Sequence, residues 1–291
     1  MRAHGFTNLV VGAAMTLAFT VTAQAQNNRS FVATTGDDTN NCTVSAYCRT
    51  FAAALAVTNS GGEIVVVNSG GYGAATINRP VEITAIGVDA SITATSGNAL
   101  TINTTGNVTI TGLNLYGGGS GNDGVLVQAV GFLRLYSLLI QNFASDGIEF
   151  LTNIGNLAVY DSKINDCQFG IYQGGGQAYV SNTEFDNNSY GVISAAGRVT
   201  IADSSAHYNT VAFASEIGTI ALHDDRVIFN VYGIVAVGGG TLYFADCLIS
   251  ENTNAYLVAV GSTMVGSSPG TSLITPGQMT VGTLSAPIAI E

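Results

Sequence analysis

The sequence predicts an all-β solenoid: a parallel β-helix of about 8–10 coils of 21–26 residues, closed at its N-terminal end by a short helix. Three observations carry this prediction. Seven short pairs recur along the chain: Gly124-Val125, Gly147-Ile148, Gly170-Ile171, Gly191-Val192, Ala212-Phe213, Gly233-Ile234 and Ala255-Tyr256, at intervals of 23, 23, 21, 21, 21 and 22 residues. Two further apolar columns keep the same period. One runs through Leu133/Leu135, Leu157/Val159, Ala178/Val180, Val199/Ile201, Ile220/Leu222 and Leu242/Phe244, the other through Ile140, Ile164, Phe185, Ala206, Val227 and Ile249. Finally, only 9% of residues are charged while 36 are glycine. A chain of this kind makes its solvent face from hydroxyls and amides and buries apolar faces by stacking coil on coil.

Taken in order, the chain opens with a processing signal. Arg2 is followed by a mostly apolar run from Leu9 to Val21 and by Ala23-Gln24-Ala25, so residues 1–25 are expected to be cleaved as a signal peptide. The apolar run is too short for a membrane span of about 20 residues, and no later stretch qualifies. The mature chain is therefore expected in the periplasm or outside the cell. Residues 26–62 read as an N-terminal cap. Cys42 and Cys48 close a short loop, which in an exported chain predicts a disulfide. Cys167 and Cys247, four repeats or about 19 Å apart, are out of reach of each other and read as packing residues. Thr50 to Thr58 reads as one short amphipathic helix with Gly61-Gly62 as its stop.

Residues 63–265 read as the helix of coils. Anchors at Ala74-Ala75 and Ala99-Leu100 and the strand Val108-Thr109-Ile110 place looser early coils upstream of the regular ones. In one regular coil, Val192-Ile193-Ser194 is a first strand, Ala195-Ala196-Gly197 a turn, Val199-Thr200-Ile201 a second strand, Asp203-Ser204 a bend, and Ala206 the inward residue of a third strand. Asn188, Asn209, Asn230 and Asn252 form a ladder that a leucine-rich repeat would also show. There, however, the asparagine follows directly on its strand, whereas here a turn intervenes. Ser262 to Val265 begins one more coil, and residues 266–291 read as a C-terminal cap or irregular tail.

The segments Cys42-x5-Cys48-Arg49-Thr50-Phe51, Gly61-Gly62-Glu63-Ile64, Gly70-Gly71-Tyr72-Gly73 and Thr76-Ile77 precede these coils. Together they resemble the start of a group of exported bacterial right-handed parallel β-helix repeat proteins of the pectin-lyase-like fold. The resemblance spans nearly the whole mature chain. It implies a right-handed helix of coils and little chemistry, since the group carries no settled activity. Enzymes of that fold act on polysaccharides, but none of their motif sets is complete here. Of the hydrolase segments only Asp224-Asp225 is present, without the Gly-His-Gly and Arg-Ile-Lys that should follow. One lysine, Lys163, stands where a lyase would want a basic cluster beside bound calcium.

Two sets of residues remain as candidates. Asp161, Asn182, Asp203, Asp224 and Asp246 form a column at one turn. Coil spacing of about 4.8 Å would bring Asp203 and Asp224 close enough to share a proton, with His223 as auxiliary acid or base and Asp225 beside them. The competing structural reading is that Asp and Asn end the strand by bonding the turn backbone, which Asn182 in the column favours. Tyr136, Tyr160, Tyr179 and Tyr243, joined by Arg134, fall on outward positions of the second strand. Tyrosine faces of this kind suit sugar rings, although they fall in two columns with gaps at Ala158, Ala221 and Ala245. No metal set with Cys/His spacing is present and no cofactor is expected, calcium at a carboxylate pair being the one alternative.

Loss of Arg2 with the signal leaves 7 basic against 19 acidic side chains. That field repels nucleic acid, anionic lipid and, without a bridging cation, polyuronates. The expected function is an exported, non-catalytic protein that binds extracellular polysaccharide. A polysaccharide lyase or glycoside hydrolase and a purely structural envelope or matrix element are the alternatives. Coils no longer than 23 residues between Gly147 and Ala255 leave little room for the loops that build catalytic clefts.

Overall fold

The computed structural model describes residues 26–266 and the strand Leu273–Ile274. The signal peptide expected at 1–25 and the remainder of the expected tail lie outside the described residues. Among the described residues the chain is a parallel β-solenoid of three sheets with 9, 11 and 10 strands and one short helix. A regular coil contributes one strand to each sheet. In the coil read above these are Tyr190–Ser194 in the first sheet, Arg198–Ala202 in the second and Ser205–His207 in the third. Each pairs in parallel with the strand one coil on, as in Val192↔Phe213, Val199↔Ile220 and Ala206↔Val227. Backbone hydrogen bonds therefore run along the solenoid axis, and every coil depends on its neighbours.

The three predicted columns are the core. Val192, Phe213 and Ile234 of the first sheet, Val199, Ile201 and Ile220 of the second, and Phe185, Ala206 and Val227 of the third are fully buried. The anchor glycines are explained by close approach. A Cβ on Gly170 would stand 2.4 Å from the Gly191 carbonyl oxygen and 2.9 Å from the Phe185 ring. At the corner between the third and first sheets, the asparagine ladder is buried. Asn209 Oδ1 accepts the Asn188 N–H at 2.9 Å, and its Nδ2 donates to the Phe185 and His207 carbonyls at 2.9 and 3.0 Å. Asn230 and Asn252 repeat the pattern.

The N-terminal end departs from the expected boundaries in two ways. The helix is Phe51–Val57, capped by Thr50, whose hydroxyl accepts the Ala53 N–H at 3.2 Å. It stops at Thr58 rather than at Gly61-Gly62, because the Thr58 hydroxyl donates to the Ala54 carbonyl at 2.6 Å and accepts from the Ser30 hydroxyl, 2.7 Å away. Strand Thr58–Val66 follows at once and contains both glycines. Strand Asn27–Val32, hidden in a polar stretch, extends the second sheet by pairing with it. Phe51, Ala54 and Leu55 are buried over the core, with Phe51 5.3 Å from the Tyr72 ring. Cys42 and Cys48 form the disulfide, and Cys167 and Cys247 are buried, each Sγ donating to the carbonyl two residues before it at 3.3 and 3.1 Å. No helix among the described residues is long and apolar enough to cross a membrane.

Candidate functional site

The aspartate column lies at the corner between the second and third sheets. Ser137, Asp161, Asn182, Asp203, Asp224 and Asp246 all have left-handed backbones, with φ between 48° and 57°. Asp and Asn tolerate that conformation better than other residues carrying a Cβ, so the turn itself accounts for their presence. The next residue in each coil is buried and ties coil to coil. Ser162 and Ser204 accept the N–H groups of Leu138 and Thr183 at 3.1 Å. Asp225 does the same for Ser204 at 2.8 Å, and its second oxygen accepts the His223 N–H at 3.0 Å. Burial pushes the Asp225 carboxyl up to about 7, against those two N–H groups.

The named candidates at this corner therefore separate. Asp225 is a buried rung. His223 Nδ1 meets Asp224 Oδ2 at 2.8 Å with both side chains more than half exposed, and Asp246 joins them. Asp203 lines a depression of about 460 Å³ together with Asp161, Asn182, Lys163 and Glu184. If the turn accounts for Asp203, Asp203→Asn and Asp203→Gly leave stability within about 0.5 kcal/mol, whereas Asp203→Val costs about 1–2 kcal/mol. Denaturant midpoints of the three variants check this.

On the outer face of the third sheet, Lys163 Nζ donates to Glu184 at 3.0 Å and to Asp186 at 2.8 Å, and His207 Nδ1 lies 3.1 Å from Asp186. The hydrogen bond to Asp186 holds the lysine above its ordinary range, so it stays charged and is a poor proton acceptor. Glu184, Asp186 and His207 bring ligand atoms within 4.8 Å of one another, but the Lys163 ammonium already supplies the positive charge there.

The outward tyrosines of the second sheet come together more closely than their columns suggested. Tyr136 and Tyr160 stack at 5.0 Å with planes 10° apart, and Tyr179 reaches diagonally to Tyr160 at 5.8 Å. Diagonal neighbours on a sheet are within reach of aromatic side chains. The Arg134 guanidinium lies 3.8 Å over Phe132 at the edge of this surface. A shallow depression of about 270 Å³ continues it, lined by Phe132, Asn156, Gln177, Tyr179, Arg198 and Thr200. Tyr243 is exposed but stands three coils beyond Tyr179, apart from the cluster.

One cluster was not read from the sequence. Asp123 and Asp146 are almost fully buried beside Glu149, where two adjacent strands of the first sheet, Val125–Ala129 and Asp146–Phe150, begin. Burial, then the charges of Asp123 and Glu149, push Asp146 up to about 7, and burial raises the other two as well. The signal was present in the Asp-Gly pairs Asp123-Gly124 and Asp146-Gly147, where an acid directly precedes an anchor glycine. Asp123 takes a rung position too, since its Oδ1 accepts the Asp146 N–H of the next coil at 3.2 Å.

Comparison with known proteins agrees with this architecture. The family model described as right handed beta helix region matches residues 98–265. Among solved structures, the crystal structure of pectate lyase Pel9A superposes with a TM-score of 0.57 at 15% identity, covering 90% of this chain and 82% of that one. The GH136 lacto-N-biosidase from Eubacterium ramulus gives a TM-score of 0.40 at 10% identity, covering 90% and 68%. At these identities the likeness to Pel9A is one of fold. No curated protein matches the chain by sequence.

Proposed function

This chain belongs to the right-handed β-helix family, and from that premise we propose that it is an exported, non-catalytic glycan-binding protein. The observation that carries the proposal is the joined surface of Tyr136, Tyr160 and Tyr179. Flat aromatic faces accept the C–H side of a sugar ring, while the neighbouring amides, hydroxyls and Arg198 of the adjoining depression bond its polar edge. Pel9A, a pectate lyase by name, uses a similar fold, which makes a polysaccharide a natural partner. The acidic net charge favours a neutral polymer over a polyuronate.

Against turnover stand the turn role of Asp203 and Asp224, the rung role of Asp225, and the charged state of Lys163. An enzyme reading would centre on the depression that holds Lys163, Glu184 and Asp203, where basic and acidic groups share one wall. The test of the binding reading is retention on insoluble neutral polysaccharides. Tyr160→Ala removes the ring that touches both others and is expected to weaken retention about tenfold, a loss of about 1.4 kcal/mol. Tyr243→Ala, outside the cluster, is expected to leave it unchanged. Equal retention of the wild type and Tyr160→Ala would remove the reading.

A further inference from the structure

The corner between the third and first sheets carries a second left-handed column, Asn142, Asp166, Asn187, Tyr208, Phe229 and Glu251, with φ between 55° and 61°. Asparagine and aspartate suit that backbone, and the earlier coils use them. Tyr208 and Phe229 do not suit it, because a bulky aromatic side chain at positive φ is a strained outlier. The strain is taken twice in adjacent coils, and it yields no burial. Tyr208 is 66% and Phe229 47% exposed. Their rings stack in parallel, 5.7 Å apart with planes 9° from one another, and the exposed pair forms an apolar ledge at this corner. Tyr208 also lines a depression of about 730 Å³ whose wall includes Asp166, Gln168, Asn187, Ser189 and Thr210. An aromatic ledge beside a wall of amides, hydroxyls and one carboxylate, with no basic side chain lining it, fits a neutral pyranose: ring face on the aromatics, hydroxyl edge on the wall. Asp166 in that wall disfavours an anionic sugar.

We infer that Tyr208 and Phe229 form a second binding site for neutral glycan, separate from the Tyr136–Tyr160–Tyr179 surface. This rests on the glycan-binding reading and adds to it. The corner that holds the ledge borders the third and first sheets, whereas the first surface lies on the second sheet. One molecule would therefore hold two polymer strands and cross-link them.

The inference separates stability from binding by sign. Asparagine is the residue that the preceding coil places here, at Asn187, so a Tyr208→Asn, Phe229→Asn double variant relieves strain. It is expected to melt at the same temperature as the wild type or higher, while losing about tenfold in affinity at this site. The experiment titrates wild type, this double variant and a Tyr136→Ala, Tyr160→Ala double variant with cello-, xylo-, manno- and laminari-hexaose. Calorimetry gives stoichiometry, and precipitation of the parent polysaccharide reports bridging. Two sites in the wild type, one in each double variant and bridging only by the wild type are expected. If Tyr136→Ala, Tyr160→Ala abolishes all binding while Tyr208→Asn, Phe229→Asn changes neither stoichiometry nor bridging, this inference fails and the first reading stands. A fall in melting temperature in the asparagine variant makes the pair a packing device and also overturns it. Absence of binding to all four sugars overturns both.

Discussion

Asn209→Ala is expected to destabilise the protein by about 3–5 kcal/mol, the largest effect of any polar substitution along the solenoid. Asn209 is almost fully buried, and its amide satisfies the Asn188 N–H and the Phe185 and His207 carbonyls. Truncation strands three backbone groups away from water, and each unmade bond of a buried group costs about 1–3 kcal/mol. The Nδ2–Oδ1 bond to Asn230 at 3.0 Å goes as well. Because each rung closes the corner for the coil before it, the loss spreads along the stack rather than staying local. Asn254→Ala, two coils on and with a single long side-chain contact at 3.4 Å, is the control and is expected within about 0.5 kcal/mol. Equilibrium unfolding in guanidinium checks both. Equal costs for the two variants would mean that the ladder does not hold the coils.

Stability is expected to fall as pH rises from about 4.5 to 8, by roughly 1–3 kcal/mol for each of Asp146 and Asp225. Both carboxyls are raised to about 7 in the folded chain from an ordinary value of 3.8. Between those values the folded chain keeps protons that the unfolded chain has released. Their favourable contribution is therefore complete at the acid end and is lost as pH climbs through 7. Asp186 opposes this at lower pH. Burial alone would raise it, but hydrogen bonds with Glu184 and Lys163 bring it below its ordinary range, so its contribution is lost as pH falls through its folded value. The stability maximum therefore lies at the acid end, below about pH 4.5. Asp146→Asn removes the burial of a charge near Asp123 and Glu149, so it should raise the melting temperature at pH 8 and flatten the slope. A wild-type melting temperature that rises between pH 5 and 8 would contradict this assignment.

The period, the three inward columns, the asparagine ladder and the turn role of the aspartates were legible because stacking repeats each constraint in every coil. Asp203 could be recognised as a turn residue from Asn182 one coil earlier, and its left-handed backbone agrees. What was not legible lies where a coil departs from its neighbours or where outward positions interact. Tyr208 and Phe229 carry no sequence signal for positive φ, since aromatic residues otherwise favour strands. Ile193, Ala214 and Val235 alternate with inward residues of the first sheet, yet they form a second buried apolar cluster beside Tyr190, Tyr232 and Leu257. Alternation alone would place such positions outward. Asp146 was not legible, because burial of a polar side chain at a corner depends on lateral neighbours that no single coil reveals. The tyrosine cluster was split between columns on paper and joined in space by one diagonal contact.

The central claim is that the chain holds glycan without cleaving it. Its most direct test is incubation with neutral and acidic polysaccharides, with and without calcium, while retention and newly formed reducing or unsaturated ends are measured together. The account predicts retention on neutral polymers with no new ends in either condition. New ends that disappear in Asp224→Asn or Asp203→Asn would contradict it and return the turn column to catalysis.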